Sequence, residues 1–307
     1  MKIGVVGAGG VGGYFGGRLA EAGNDVHLLA RGPHLAAIRA NGLRVRSVKG
    51  DFVAPVLATD DPARIGRCDA VLFCVKAYDT RGAAAGLAPM LGDGTAVVSL
   101  QNGVDNEETI AAVIGADKVL GGAAFIFSTI TEPGVVAHTG GPARLVFGEI
   151  DRVRTDRVER LLAACRSAGI DSDVPSDIRV VLWSKFAFIC AVAGMTSAVR
   201  LPLGDLRDDE DAWAMFRRLV EEVVAVGRAE GVPLADDTVD QQIALAAAQP
   251  AGAYSSLHHD LVNGNRMELD ALHGAVVRRG ARRGVPTPAN AAIHAILSPW
   301  ARRNAGP

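Results

Sequence analysis

Two stretches carry residues whose types and spacing could do chemistry. The first is the apolar run Val180-Val181-Leu182-Trp183-Ser184-Lys185-Phe186-Ala187-Phe188-Ile189-Cys190. On a helix, the neighbours of Lys185 three and four residues away are Val181, Leu182, Phe188 and Ile189, and no carboxylate lies within that reach. Burying an unpaired ammonium is expensive, so such a lysine needs a distant partner, a lowered pKa or water. That makes Lys185 a candidate functional group. The bland alternative is a lysine reaching water from a helix edge.

The second stretch is Met1 to Gly17, where a short apolar strand (Ile3, Val5, Val6) stops at Gly7-Ala8-Gly9-Gly10-Val11-Gly12 and helical character resumes at Tyr14. Gly7, Gly9 and Gly12 fit G-x-G-x-x-G in the strand–turn–helix order that a dinucleotide-binding turn requires. The first glycine permits the turn, the second lets backbone approach a pyrophosphate, and the third seats the helix on the sheet. The helix's first N–H groups would take the phosphate charge. Without a ligand the same residues make an ordinary tight turn.

Positions at strand ends extend this reading. Asp25 to Ala30 is a second strand, closed by Ala30-Arg31 where NAD-binding folds usually place an acid for the ribose diol. A guanidinium there suits a 2′-phosphate, so NADP(H) is the expected cofactor; the alternative is a surface arginine. Asp69 to Val75 and Thr95 to Leu100 are near-continuous apolar strands ending in Lys76-Ala77 and Gln101-Asn102-Gly103. Ligands in open α/β sheets sit beyond such ends, so Lys76 and Asn102 are candidates, against a snorkelling lysine and an Asn-Gly turn. Ser255-Ser256-Leu257-His258-His259 opens a helix with Ser256 as N-cap, or with Ser256 and the helix start holding a carboxylate. Asn265-Arg266-Met267-Glu268 has capping-box spacing, or else Glu268 pairs with Lys185. His258 and His259 are adjacent, make a poor metal pair, and read as surface or packing residues.

The 307 residues, 49% hydrophobic and 21% charged, suffice for two domains with real cores. A net charge of −2 argues against DNA or an anionic membrane as partner. Met1 leads straight into a strand, with no signal core, and no uninterrupted apolar run reaches a span of about 18 residues. The nearest, Val180 to Val199, contains Lys185. Four cysteines without C-x-x-C pairing or metal spacing read as reduced, mostly buried thiols of a cytoplasmic protein. The expected fold class is an α/β Rossmann-type N-terminal domain, residues 1–174, followed by an all-α C-terminal domain, residues 175–307, with Pro175-Ser176 at the boundary. In the first half, Leu43–Ser47 and Phe52–Leu57 read as a hairpin. Lys118–Ile130, Val135–His138 and Arg144–Glu149 read as three strands, and Asp151–Ala168 as a helix.

Together, Gly7 to Gly12, Val75-Lys76-Ala77, Leu100-Gln101-Asn102-Gly103, Lys185, Ser255-Ser256, Glu268-Leu269-Asp270 and Gly284-Val285-Pro286-Thr287-Pro288 resemble the ketopantoate reductase (2-dehydropantoate 2-reductase) family nearly end to end. The resemblance implies NADPH-dependent reduction of the 2-oxo group of ketopantoate, a step of pantothenate biosynthesis. It makes Lys185 the general acid, with Glu268 holding or tuning it and Ser256 binding the substrate carboxylate. Asn102 would lie between nicotinamide and substrate, and Arg31, Lys76, Ala8, Gly10 and Val11 on the cofactor side. No metal is required.

The chain departs from the family where asparagines usually follow the lysine by four and eight residues. Ile189 and Ala193 stand there, and Gly194 replaces a proline. Two lost donors to a buried hydroxyl are worth about 1–3 kcal/mol each, so a more apolar 2-oxo acid or another activated ketone would suit that wall better. Thr196 is the remaining candidate polar contact. A non-catalytic NADP-binding regulatory protein stays open as an alternative, and so does a β-hydroxyacid dehydrogenase, which the Ser256–Glu268 stretch disfavours. A homodimer through the helical half is compatible with the sequence.

Overall fold

The computed structural model describes residues 1–306. By their contacts, residues fall into two compact units, one of Met1–Gln101 with Asn106–Ile178, the other of Asn102–Asp105 with the chain from Arg179 onward.

The first unit contains β1 (Lys2–Val6), α1 (Gly10–Glu21), β2 (Asp25–Leu29), α2 (Gly32–Asn41), β3 (Leu43–Ser47), β4 (Phe52–Ala54) and β5 (Leu57–Thr59). It continues with β6 (Ala70–Phe73), α3 (Thr80–Ala85), β7 (Ala96–Ser99), α4 (Asn106–Ile114), β8 (Val119–Glu132), β9 (Val135–Glu149), α5 (Asp156–Ser167) and β10 (Asp171–Asp173). All ten strands join one sheet in the order β4-β3-β9-β8-β7-β6-β1-β2-β5, with β10 on β9. From β5 to β8 neighbouring strands run parallel, and Val5 of β1 stands opposite Leu28 on one side and Leu72 on the other. The continuous apolar strands are thus covered on both faces, as their lack of alternation requires.

Helix α1 explains its own glycines. A Cβ on Gly16 would meet Val5 of β1 at 2.9 Å, and one on Gly13 would meet Val136 of β9 at 2.7 Å. Strands from both arms of the sheet therefore press on this side of one helix, closer than any side chain at these two positions would allow. The expected hairpin forms, with Leu43 opposite Ala54, but it ends at Ala54, and Leu57–Thr59 instead joins β2 as a separate parallel strand.

Two expectations need correction. Val135–His138 and Arg144–Glu149 are one strand, β9, which pairs antiparallel with β8 over most of its length. Gly140-Gly141-Pro142 bends the ribbon without ending it: the register slips between Phe125 and Ser128, and Gly141 (φ 79°) and Ala143 (φ 53°) take left-handed conformations. Helix α5 starts at Asp156, because Asp151-Arg152-Val153-Arg154 is spent on a turn in which the Asp151 carboxylate accepts the Val153 N–H and Arg152 has φ 71°.

The second unit is all helical: α6 (Ile178–Val199), α7 (Leu203–Asp208), α8 (Glu210–Ala229), α9 (Thr238–Ala247), α10 (Ser256–Val262), a π-helical turn Asp270–Gly274 running into α11 (Ala275–Arg283), and α12 (Pro288–Asn304). The expected fold class, a Rossmann-type unit followed by an all-α unit, is the one observed. Helix α6 is long and apolar enough to cross a membrane by composition, yet most of it is buried inside the protein. Trp183, Phe186, Cys190 and Met195 are core residues packed with Phe216, Leu219 and Val223 of α8. Its partly open positions, Val181, Ser184, Lys185, Phe188 and Ile189, recur at three and four residues and so share one face.

Candidate active site

The glycine turn has the form that a dinucleotide needs. Gly7 has φ 99°, and a Cβ there would meet the Cys74 carbonyl carbon and the Val75 nitrogen at 2.9 Å. A Cβ on Gly12 would stand 2.2 Å from the Gly7 carbonyl oxygen, so helix and turn touch only because both residues are glycine. Gly9 differs: nothing lies within 4 Å of where its Cβ would be. Protein packing leaves that position open, and among the described residues no side chain caps the first turn of α1. An open glycine beside uncapped helical N–H groups is the cradle that a pyrophosphate fills, so these residues fit the cofactor. Ala8, Gly10 and Val11 complete the turn. Arg31 follows β2 with its side chain 86% exposed and 3.2 Å from the Asp79 carboxylate. Lys76 precedes a short 3₁₀ turn after β6 and is half-buried.

His34 was not foreseen. It donates from Nε2 to the Ala8 carbonyl at 2.9 Å, because Nδ1 accepts the Gly134 N–H at 3.0 Å. This imidazole ties the glycine turn to the β8–β9 turn, and burial lowers its pKa, partly offset by the Ala8 bond. A histidine two residues into a helix gives no sign of this in the sequence.

In the helical unit, Lys185 is half-buried and donates from Nζ to Asn102 Oδ1 at 3.0 Å. One partner is thus a neutral amide 83 residues upstream. Asn102 and Lys185 thus meet in one unit. Glu268 is in this unit too, half-buried, and its carbonyl accepts the Ala271 and Leu272 N–H groups at the head of the π-turn. The expected capping box at Asn265 is absent: residues 265–268 are not helical, and the turn begins after Glu268.

The serine pair is read one residue out. Ser255, not Ser256, caps α10, its hydroxyl accepting the His258 N–H at 3.0 Å. Ser256 is the exposed first residue of that helix. Thr196, expected to touch substrate, is fully buried. Its hydroxyl donates to the Val192 carbonyl at 2.7 Å, and so accepts from Ser255 Oγ at 2.9 Å. Thr196 supports the cap and has no proton to offer a ligand. His258 is buried, bonded to the Thr196 carbonyl and stacked on Tyr254, as a packing histidine should be.

Within the π-turn, His273 is fully buried, its Nδ1 bonded to Asn290 Oδ1 at 2.9 Å, and the Asn290 amide donates to Glu222 at 2.8 Å. A Cβ on Gly194 of α6 would stand 2.6 Å from the His273 ring, so the glycine that replaces a proline makes room for it. Burial pushes the His273 pKa down to about 4, against the Asn290 bond that raises it. A base with a lowered folded pKa binds its proton more readily unfolded, so stability is complete above about pH 6.5 and is lost as pH falls towards about 4. The expected loss between about pH 7.5 and about pH 5 is about 2 kcal/mol. Urea titrations at both values should show a loss smaller by about that amount in His273→Gln than in the native chain.

A mostly parallel sheet with a phosphate-ready glycine turn, followed by a helical unit in which a lysine is held on an asparagine, defines the class: a nicotinamide-dependent oxidoreductase. Residues 3–152 match the family model described as ketopantoate reductase PanE/ApbA, and residues 177–300 match its C-terminal counterpart. The 2-dehydropantoate 2-reductase of Halobacterium salinarum is 34% identical over 94% of this chain and 95% of its own length. An uncharacterized oxidoreductase of Bacillus subtilis, YkpB, is 32% identical over 97% and 98%. The crystal structure of a PanE/ApbA family ketopantoate reductase from Ralstonia eutropha JMP134 superposes with a TM-score of 0.91 at 37% identity, covering 99% of this chain and 100% of the other. The chain belongs to the ketopantoate reductase PanE/ApbA family.

Proposed function

We propose that the protein is an NADPH-dependent reductase of a 2-oxo acid, with Lys185 as the proton donor. The observation that carries this reading is the 3.0 Å bond from Lys185 Nζ to Asn102 Oδ1. It orients an ammonium on a face shared with Val181, Ser184, Phe188 and Ile189. An ammonium has three donors and no acceptor, so a carbonyl oxygen brought against it would meet a hydrogen-bond donor and acid. Bound NADPH would supply the hydride. The glycine turn from Gly7 to Gly12 would hold its pyrophosphate, Arg31 its 2′-phosphate, and Lys76 would lie on the cofactor side. Ser256 would take the substrate carboxylate, and Glu268 would hold or tune Lys185. As the carbonyl oxygen gains charge, Lys185 stabilises it and gives up a proton.

Ketopantoate, named for relatives of this chain, is the reference substrate, but Ile189 favours a less polar one. It is half-buried one helical turn beyond Lys185 and offers hydrocarbon where a substrate hydroxyl would need a donor. Ala193 is buried beneath that face and contributes only volume. Sites that hydrogen-bond a substrate hydroxyl reject the analogue lacking it by about 10⁴-fold, whereas apolar pockets discriminate weakly. The test compares ketopantoate with 3,3-dimethyl-2-oxobutanoate, the same skeleton without the hydroxyl. The expected kcat/KM values lie within about tenfold of each other, and Ile189→Asn should move the ratio about tenfold towards ketopantoate. A preference of about a thousandfold for ketopantoate in the native chain would show that a donor serves the hydroxyl after all.

A further inference from the structure

We infer that Arg279 is a positioning residue for the Asn102–Lys185 pair, acting through the turn Asn102–Asp105; the inference rests on the reading of Lys185 as proton donor. Asn102 has a short side chain, so the place of its acceptor oxygen is set by the backbone beneath it. That backbone is held at each following residue. Gly103 has φ 113°, a conformation that side chains other than hydrogen resist. Val104 is buried in the hydrophobic core of the helical unit. The Val104 carbonyl accepts from Arg279 Nη2 at 3.0 Å, and Asp105 Oδ1 accepts from Arg279 Nε at 2.6 Å. Arg278 adds a bond to Asp105 Oδ2 at 3.1 Å.

Arg279 also reaches the helix that carries the lysine. Its guanidinium lies 6.0 Å from the centre of the Trp183 ring, two residues before Lys185 on α6. One planar group therefore touches the turn that bears the acceptor and the helix that bears the donor. Its side chain is 5% exposed, a costly place for a charge, and Glu230 at 3.5 Å supplies a second carboxylate. Lysine keeps the charge but lacks the rigid planar fork that fixes both acceptors at once, and it cannot stack flat on the indole. Simple attachment of α11 to its neighbours would not need a fork closed on a carbonyl two residues from Asn102.

The experiment measures kcat and the KM for NADPH in Arg279→Lys, Asn102→Ala and the double variant, with Lys185→Ala as reference. Misplacing a reacting group by about 1 Å costs about a hundredfold, so Arg279→Lys should lower kcat by about ten- to a hundredfold with the NADPH KM within about twofold. If Arg279 works through Asn102, the double variant should be no slower than Asn102→Ala alone. Losses that multiply in the double variant, or an Arg279→Lys kcat within about twofold of native, overturn the inference. Should Arg279→Lys not fold, Asp105→Asn keeps the shape of the turn, weakens the same grip, and must show the same masking by Asn102→Ala. Native-like turnover in Lys185→Ala would instead overturn the assignment of the lysine itself.

Discussion

Lys185→Ala should lower kcat by about a thousandfold while NADPH still binds. A positioned acid contributes about 10²–10⁴-fold, and charge stabilisation of the developing alkoxide adds to that. The lysine is half-buried and held on Asn102 at 3.0 Å, so its loss removes a group already aimed, not one drawn from solvent. The change should leave the helix intact. Alanine is the best helix former, and α6 is anchored by Trp183, Phe186, Cys190 and Met195 on its other faces. The residues proposed to hold the cofactor belong to other elements, so titration of the variant with NADPH should give a Kd within about threefold of native. Steady-state rates and that titration together are the check. A variant that loses cofactor binding along with turnover would mean that the lysine was structural.

The second large effect concerns cofactor choice. Arg31→Ala should reduce the preference for NADPH over NADH by about 10- to 100-fold, chiefly through the KM for NADPH. A hydrogen bond to a charged group contributes about 1.5–3 kcal/mol, and 1.4 kcal/mol is a factor of ten. The geometry makes this a clean measurement. Arg31 stands two residues after β2 with 86% of its side chain exposed, and its ion pair to Asp79 is at the surface, where such pairs contribute little to stability. Folding should therefore be unaffected. A native protein that prefers NADH would show that the guanidinium serves no phosphate.

Local signals in the sequence were strong where structure is local. The strand, turn and helix of Met1 to Gly17 could be read because their order is contiguous in the chain and Gly12 answers to the Gly7 carbonyl five residues before it. The helical half followed from apolar periodicity, and Lys185 stood out because nothing within one turn could pair it. Its partner was beyond such reasoning. Asn102 follows a strand of the first unit, yet the segment Asn102–Asp105 packs with the second, a fact decided by Val104 entering a distant core. Arg279 lies 174 residues from Asp105 and looks like any surface arginine of a charged helix end.

Other misreadings have equally specific causes. Gly140-Gly141-Pro142 carries the composition of a break, but β8 supplies partners on both sides of the bulge, so the strand continues. Ser255 and Ser256 are chemically identical, and only the backbone shows which one caps α10. Capping-box spacing at Asn265 competed with a π-turn, whose wider hydrogen bonding places Gly274 N–H on the Leu269 carbonyl. Thr196 resembled a site residue because its hydroxyl's engagement with Val192 and Ser255 depends on the fold. The thiols were easier: burial pushes the pKa of Cys68 up to about 11 and that of Cys165 to about 12, as inert core cysteines require.

Whether this site catalyses reduction is tested most directly by mixing purified protein, NADPH and 3,3-dimethyl-2-oxobutanoate, and following cofactor absorbance and product together. The account predicts one 2-hydroxy acid formed for each NADPH consumed. NADPH bound tightly, with neither this acid nor ketopantoate turned over, would contradict it and leave a protein that only senses the cofactor.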